Sequence, residues 1–217
     1  QNFLVDHNLL RKIVDASGAV AADLVLEVGP GTGVLTAELL ARGCEVVACE
    51  LDRGLAALLR DLFAPEIASG RLHLIEGDAL DSGGVLSGRA AAALGGRPFR
   101  LVANLPYGAA TPLITTLLLD HPPCPGMFVT IQREVGERLM AGPGTKAYGP
   151  LSVLVGALAE VRPIAALPPE CFWPRPKVAG VMVAIVRRPT PRCNDPRALA
   201  AMLHKVRHIA AFGHPRP

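Results

Sequence analysis

Leu24-Val25-Leu26-Glu27-Val28-Gly29-Pro30-Gly31-Thr32-Gly33 is the stretch from which the fold is read. Its first five residues are a short, almost wholly aliphatic run, the pattern of a strand buried on both faces. A glycine-rich turn follows directly. Leu35–Arg42 then has helical spacing, and Gly43 closes it. Glycine lets the backbone turn sharply and approach a ligand closely, and the amides at the start of the next helix face whatever is bound there. The spacing is G-x-G-x-G. The dinucleotide fingerprint puts its third glycine one residue later, where this chain has Val34. A pyrophosphate is therefore accommodated less well than a nucleoside without phosphates. Taken alone, the same residues also describe an ordinary strand-to-helix turn.

Outward from this turn, short apolar runs alternate with helical patterns. Strands are expected at Glu45–Cys49, Leu72–Glu76, Arg100–Ala103 and Met127–Ile131. Helices are expected at Arg53–Phe63 (ended by Pro65), Leu113–Leu119 and Arg133–Met140. The Gly- and Ala-rich stretch Gly83–Gly96 reads as a helix between two loops. Val178–Val186 is a late strand after a proline cluster, and Leu199–Phe212 has helical spacing. Strict alternation predicts an α/β fold, a parallel sheet with helices on both faces. Residues 1–188 form one domain on this reading. Residues 189–217 begin a helical C-terminal domain that the sequence does not complete.

Half of the 217 residues are hydrophobic, enough for a sizeable core, but only 4% are aromatic, so Ala, Val and Leu must supply most of it. No apolar run has the roughly 18 residues of a membrane span, and the first residues do not have the pattern of a secretory signal. Five cysteines, an odd number with no C-x-x-C pair, argue against a disulfide framework or a zinc site. No metal is expected, and the expected compartment is the cytoplasm. Charge is unevenly spread. Residues 1–120 carry 9 Lys/Arg against 14 Asp/Glu, and residues 121–217 carry 13 against 5. A basic half-chain points to a polyanionic partner such as nucleic acid, although a solvated surface can be skewed in the same way.

Three further sites sit at strand ends. Glu50, in Cys49-Glu50-Leu51-Asp52, can accept hydrogen bonds from both hydroxyls of a ribose; a solvated strand-end Glu is the alternative. Asp78, in Gly77-Asp78-Ala79, can accept from an adenine amine or simply cap its own loop. Asn104-Leu105-Pro106-Tyr107 is the most informative. The exocyclic amine of adenine is a poor nucleophile because its lone pair is delocalised into the ring. Two acceptors bonded to its hydrogens favour a pyramidal, more reactive nitrogen. The Asn104 side-chain oxygen and the Leu105 carbonyl can form that pair. Pro106 fixes the turn and brings no competing N–H. Tyr107 offers a flat face for stacking the base, worth roughly 1–3 kcal/mol.

Together these motifs make the sequence similar to the ribosomal RNA adenine dimethyltransferases of the KsgA type. Gln1-Asn2-Phe3-Leu4, Glu27–Thr36, Glu50-Leu51-Asp52, Gly77-Asp78-Ala79 and Asn104–Tyr107 match that family's motifs in order and spacing. So do Gln132-Arg133-Glu134-Val135 through Arg138-Leu139, the segment Ala141–Val153, and Phe172-Trp173-Pro174-Arg175-Pro176-Lys177-Val178. Ala179-Gly180 stands where the family often has Asp-Ser. The resemblance implies a Rossmann-like methyltransferase sheet and S-adenosylmethionine as donor, with S-adenosylhomocysteine as product. It also implies two adjacent adenosines near the 3′ end of small-subunit RNA as substrate, each methylated twice on N6. The implied cofactor residues are Gln1, Asn2, Leu4, Gly29, Gly31, Glu50, Leu51, Asp78, Ala79 and Asn104. Asn104, Leu105, Pro106 and Tyr107 are the implied catalytic corner, with Phe172 stacking on the other face of the target base. Lys146, Arg175 and Lys177 are candidate phosphate contacts or plain surface charge. The expected partner is the RNA of the immature small ribosomal subunit, bound by a monomer, with no membrane involved. Reaching the pocket requires the adenine to leave any base stack, which favours a loop or hairpin tip.

Three other readings share some of these features. The enzymes that methylate one adenine of large-subunit RNA and confer macrolide resistance share the glycine turn and Asn-Leu-Pro-Tyr, but the segment Ala141–Val153 favours the small-subunit class. A non-catalytic RNA-binding assembly factor on the same fold is opposed by the intact cofactor residues. A nicotinamide-dependent dehydrogenase rests on the glycines alone.

Overall fold

The structure, a computed structural model, describes residues 3–4, 6–106 and 108–212, with residues 205–212 described by their backbone only. In chain order the elements are β1 (Phe3–Leu4), α1 (His7–Ser17), β2 (Leu24–Val28), α2 (Val34–Ala41), β3 (Glu45–Glu50), α3 (Arg53–Leu62), α4 (Ala64–Ala68), β4 (Leu72–Glu76), α5 (Gly88–Leu94), β5 (Arg100–Asn104), α6 (Ala110–Asp120), β6 (Gly126–Gln132), α7 (Arg133–Met140), α8 (Pro150–Leu158), β7 (Ala159–Leu167), β8 (Phe172–Trp173), β9 (Gly180–Arg187) and α9 (Pro196–Phe212).

Seven strands form one sheet in the order β4-β3-β2-β5-β6-β9-β7. The first five are parallel. The sheet is not parallel throughout: β9 is antiparallel to both β6 and β7. A parallel neighbour needs a crossover element, usually a helix. Between β7 and β9 the chain has only a 3₁₀ turn at Pro169–Cys171 and the two residues of β8, so it doubles back instead.

Alternate residues of the inner strands feed two apolar layers, as a pleat requires. Leu26, Leu101, Val129 and Ile185 pack with Leu113, Leu117, Leu154 and Leu158 of α6 and α8. Val25, Val46, Val102 and Phe128 pack on the opposite face with Ile13 and Val14 of α1 and Leu35 and Leu39 of α2. Arg187 closes α6: its guanidinium donates to the carbonyls of Leu117, Leu118, His121 and Cys124 at distances of 2.8–3.3 Å. Leu118 is among the last carbonyls of α6, which lack an intrahelical partner, while the Leu117 and His121 carbonyls also accept the N–H groups of His121 and Cys124.

Pro65 is not only a stop. It ends the long helix and stands in the first turn of the short α4, where its missing N–H costs nothing. α1, α8 and β7 lie outside the sequence expectations. α1 is capped by Asp6, whose carboxylate accepts from the N–H groups of Asn8 and Leu9, and it ends on the left-handed Gly18. β7 is an edge strand with an irregularity between Pro163 and Ala165, the place where a sheet tolerates a residue without an N–H. α9 starts at an Asp195 cap, and Leu199, Ala200 and Leu203 rest against the larger apolar layer.

Candidate active site

The chain leaves β2 toward β3 and β4 on one side, then returns to lay β5 on the other side of β2. At such a switch point the loops after the strands diverge and leave a crevice at their carboxyl ends. The motifs read from the sequence converge there.

Gly29, Gly31 and Gly33 all have positive φ, at +72°, +61° and +82°, a region that L side chains rarely adopt. Each also has a close neighbour. A Cβ on Gly29 would lie 3.1 Å from Pro106 Cγ, one on Gly31 2.7 Å from Phe3 Cε1, and one on Gly33 2.6 Å from Phe63 Cε2. The glycine turn is therefore walled by the Asn-Leu-Pro corner on one side and by Phe3 on another. Phe3 is the contact that motif reading missed; it sits between residues already singled out, but its aromatic ring gave no reason to prefer it over a core position.

Glu50 is buried, 1% exposed. One carboxylate oxygen accepts from Gly31 N–H at 3.0 Å and the other from Asp52 N–H at 2.9 Å. Its backbone carbonyl takes Gly77 N–H at 2.8 Å, and Gly29 N–H reaches the Cys49 carbonyl at 2.9 Å. The ends of β2, β3 and β4 are thus laced together. Glu50 is not a solvated strand-end residue. Leu51 beside it is 67% exposed, an apolar surface at the mouth of the crevice. Asp78 caps its own loop, accepting Leu80 N–H at 3.1 Å, and the residue is exposed.

Glu27 is a second buried acid under the turn, 1% exposed. Thr36 Oγ1, from the first turn of α2, donates to it at 2.7 Å. Burial pushes the Glu27 carboxyl up to about 8; the Thr36 hydroxyl works against this and the neighbouring Glu50 adds to it. The signal in the sequence was an acid inside an otherwise aliphatic strand.

At the end of β5, Asn104 is half-buried, Leu105 is buried and Pro106 is exposed. Leu105 N–H donates to the Thr130 carbonyl of β6 at 3.1 Å, which anchors the corner to the sheet. Gln1, Asn2 and Tyr107 lie outside the described residues.

Three expected site residues have buried side chains. Leu4 and Phe172 face each other in the β1–β8 pair and are each 5% exposed, packed in the apolar layer that holds α1. The tip of the Phe172 ring lies toward Gly180, whereas Trp173 next to it is 69% exposed. The Ala79 side chain is 2% exposed in the opposite layer. Lys146, Arg175 and Lys177 are exposed, and Arg175 is paired with Glu170. The segment Ala141–Val153 has a clear architectural role: Ser152 Oγ donates to the Arg138 carbonyl at 2.6 Å and accepts Gly149 N–H at 3.1 Å, tying the start of α8 to the end of α7. Among the described residues there is no His/Cys/Asp/Glu cluster suited to a metal.

A sheet of this order, with a glycine turn after β2 and an acid closing β3, is the Rossmann-like fold of the S-adenosylmethionine-dependent methyltransferases. Within that class the chain belongs to the ribosomal RNA adenine dimethylase family, whose model matches residues 1–206. It is 44% identical to the ribosomal RNA small subunit methyltransferase A of Rhodospirillum rubrum, over all of this chain and 71% of that protein. It is 41% identical to the enzyme of the same name from Pelotomaculum thermopropionicum, over 88% of this chain and 65% of that one. The chain thus spans about two thirds of the length of these relatives. Among solved structures, a dimethyladenosine transferase from Plasmodium falciparum superposes with a TM-score of 0.72 at 28% identity, covering 86% of this chain and 63% of the other. The 23S rRNA methyltransferase ErmE superposes with a TM-score of 0.74 at 25% identity, covering 94% and 77%.

Proposed function

We propose that this chain carries the methyltransferase domain of an enzyme that dimethylates N6 of two adjacent adenosines near the 3′ end of small-subunit ribosomal RNA. The observation that carries this reading is the approach of Pro106 to Gly29, which sets an adenine-holding corner against a nucleoside-holding turn across one crevice. Family membership and the name shared by its curated relatives support the choice of substrate.

S-adenosylmethionine suits the residues present. A turn that rejects any Cβ admits a close-lying ligand, and Glu50 offers acceptors where ribose hydroxyls can reach them. Gly29, Gly31, Glu50, Leu51, Asp78 and Asn104 would hold it, joined by Gln1 and Asn2. When bound, it supplies an electrophilic methyl group on a sulfonium. The protein's part is to present the nucleophile. In the first transfer Asn104 Oδ1 and the Leu105 carbonyl accept hydrogen bonds from the two N6 hydrogens of adenine and favour a pyramidal nitrogen, while Tyr107 stacks on the ring; N6 loses one proton to water for each methyl gained, so in the second transfer its single remaining N–H bonds to one of the two acceptors. Because the Leu105 N–H is already spent on Thr130, the corner keeps its shape when the base arrives, and most of the acceleration comes from positioning. Lys146, Arg175 and Lys177 serve as phosphate contacts, and residues from 189 onward begin a helical part that completes RNA docking. The setting is the cytoplasm, where a monomer acts on the immature small subunit.

The likeness to ErmE favours a second reading, methylation of large-subunit RNA. The test is transfer of labelled methyl groups to small subunits from cells lacking this modification, followed by mapping of the modified nucleotides. Label on two adjacent small-subunit adenosines is the expected result. Label confined to large-subunit RNA, or none with a full-length protein, overturns the proposal.

A further inference from the structure

Thr130 is buried, 3% exposed, and its Oγ1 is the one buried side-chain oxygen or nitrogen among the described residues without a hydrogen-bond partner. Leaving a hydroxyl unpaired in a protein interior is costly, so such a group calls for an explanation. Its position supplies one. Thr130 lies directly across from Asn104 in the β5–β6 register. Strand alternation puts both side chains on the same face: Val102 and Phe128, two residues before them on each strand, share one apolar layer, and Val129 and Ile131 belong to the other. Neighbouring parallel strands run about 4.8 Å apart, so the two side chains are within reach of each other after a small rotation. The Thr130 backbone already holds this corner through Leu105.

An Asn side chain is ambiguous. For the proposed chemistry its oxygen must face the adenine amine, and nothing in its shape distinguishes that orientation from the flipped one, in which an N–H₂ would confront another N–H₂. We infer that Thr130 is a positioning residue for Asn104: a hydroxyl can donate or accept, so the adenine amine sets the orientation, and the Thr130 hydroxyl, by accepting an Asn104 Nδ2–H while Oδ1 takes the N6 hydrogen, holds the amide in it. Asn104 has a further interaction of its own; Thr130 need take only one N–H of its amide. This inference rests on the function proposed above.

The test uses the full-length enzyme, unmethylated small subunits and labelled S-adenosylmethionine, with three variants: T130V, which replaces the hydroxyl by a methyl group of similar size, T130S, and T130V combined with N104A. T130V is expected to lower kcat about tenfold, the worth of one hydrogen bond, and to leave the KM for the donor within about twofold. Its melting temperature should not fall below that of the unmodified enzyme, because an unpaired buried hydroxyl has been removed. T130S should restore most of the turnover. In the N104A background, T130V should cost nothing further, since the residue it acts through is gone. A T130V enzyme with full kcat, a T130S enzyme as slow as T130V, or the same tenfold loss with and without Asn104 each overturns the inference while leaving the proposed function standing. An unmodified enzyme that labels no small-subunit adenosine overturns both.

Discussion

Replacing Glu27 by Gln tests the electrostatics beneath the glycine turn. The carboxyl titrates at about 8 in the folded protein against an ordinary value of 4.5, chiefly because it is buried. A glutamine keeps the acceptor that Thr36 Oγ1 now uses at 2.7 Å but has nothing to ionise. In the original protein the folded state holds this proton more tightly than the unfolded state does. Stability contributed by the protonated carboxyl is therefore full below pH 4.5, falls as pH rises from there toward 8, and levels off above 8. Each pH unit across that interval is worth at most about 1.4 kcal/mol. The whole effect is thus capped near 5 kcal/mol, with about 2–5 kcal/mol expected once local relaxation is allowed for. The assay is urea unfolding of both proteins at half-unit steps from pH 5 to 8.5, read as the difference in unfolding free energy. That difference should swing in favour of E27Q as pH rises and flatten near 8. Two curves that stay parallel across the interval would mean Glu27 is ionised throughout, and the argument from burial would be wrong.

Asn104→Ala should leave S-adenosylmethionine affinity within about threefold and lower methyl transfer by about 100-fold or more, the usual cost of removing an aligned polar group at a reacting centre; single-turnover labelling beside calorimetry separates the two. Glu50→Ala should weaken donor binding at least about tenfold in calorimetry, since it removes the expected ribose acceptor and frees Gly31 and Asp52 N–H; unchanged affinity would exclude the ribose role. Gly31→Ala combines a φ of +61° with a Cβ 2.7 Å from the Phe3 ring. Backbone strain of about 1–2 kcal/mol and displacement of Phe3 should lower the melting temperature by several degrees and donor affinity about tenfold, as a thermal melt with and without donor would report.

The buried parallel strands were legible because their signal is local. Leu24–Val28 is bounded by turns and nearly all aliphatic, and it matches the observed strand end to end; Leu72–Glu76, at the sheet edge, matches as well through its Leu72, Leu74 and Ile75. Arg133–Met140 was equally plain as a helix. β7 was not, since Arg162, Pro163 and exposed polar positions blur an edge strand that needs pairing on one side only. The reversed direction of β9 could not be read from its own residues, because it depends on the absence of a helix before it. At the site, motif spacing picked out Glu50, Gly29–Gly33 and Asn104–Pro106, and the fold brings these strand ends to one edge. The burial of Leu4 and Phe172 was not legible, for a shared reason. Belonging to a functional motif does not say which way a side chain points, and each of these two buries the other. Thr130 was invisible in the sequence, as only the register of β5 against β6 brings it to Asn104.

The ribbon of β1 and β8 joins residue 3 to residue 173, and it carries Phe3, the wall of the turn beside Gly31. A chain emerging from its N-terminus makes the glycine turn, the acid of β3 and the adenine corner well before it makes β8. Phe3 therefore has its strand partner only once residue 173 has been made. A nascent chain stalled short of that point has β2 to β7 in hand but lacks the ribbon that seats the wall beside Gly31.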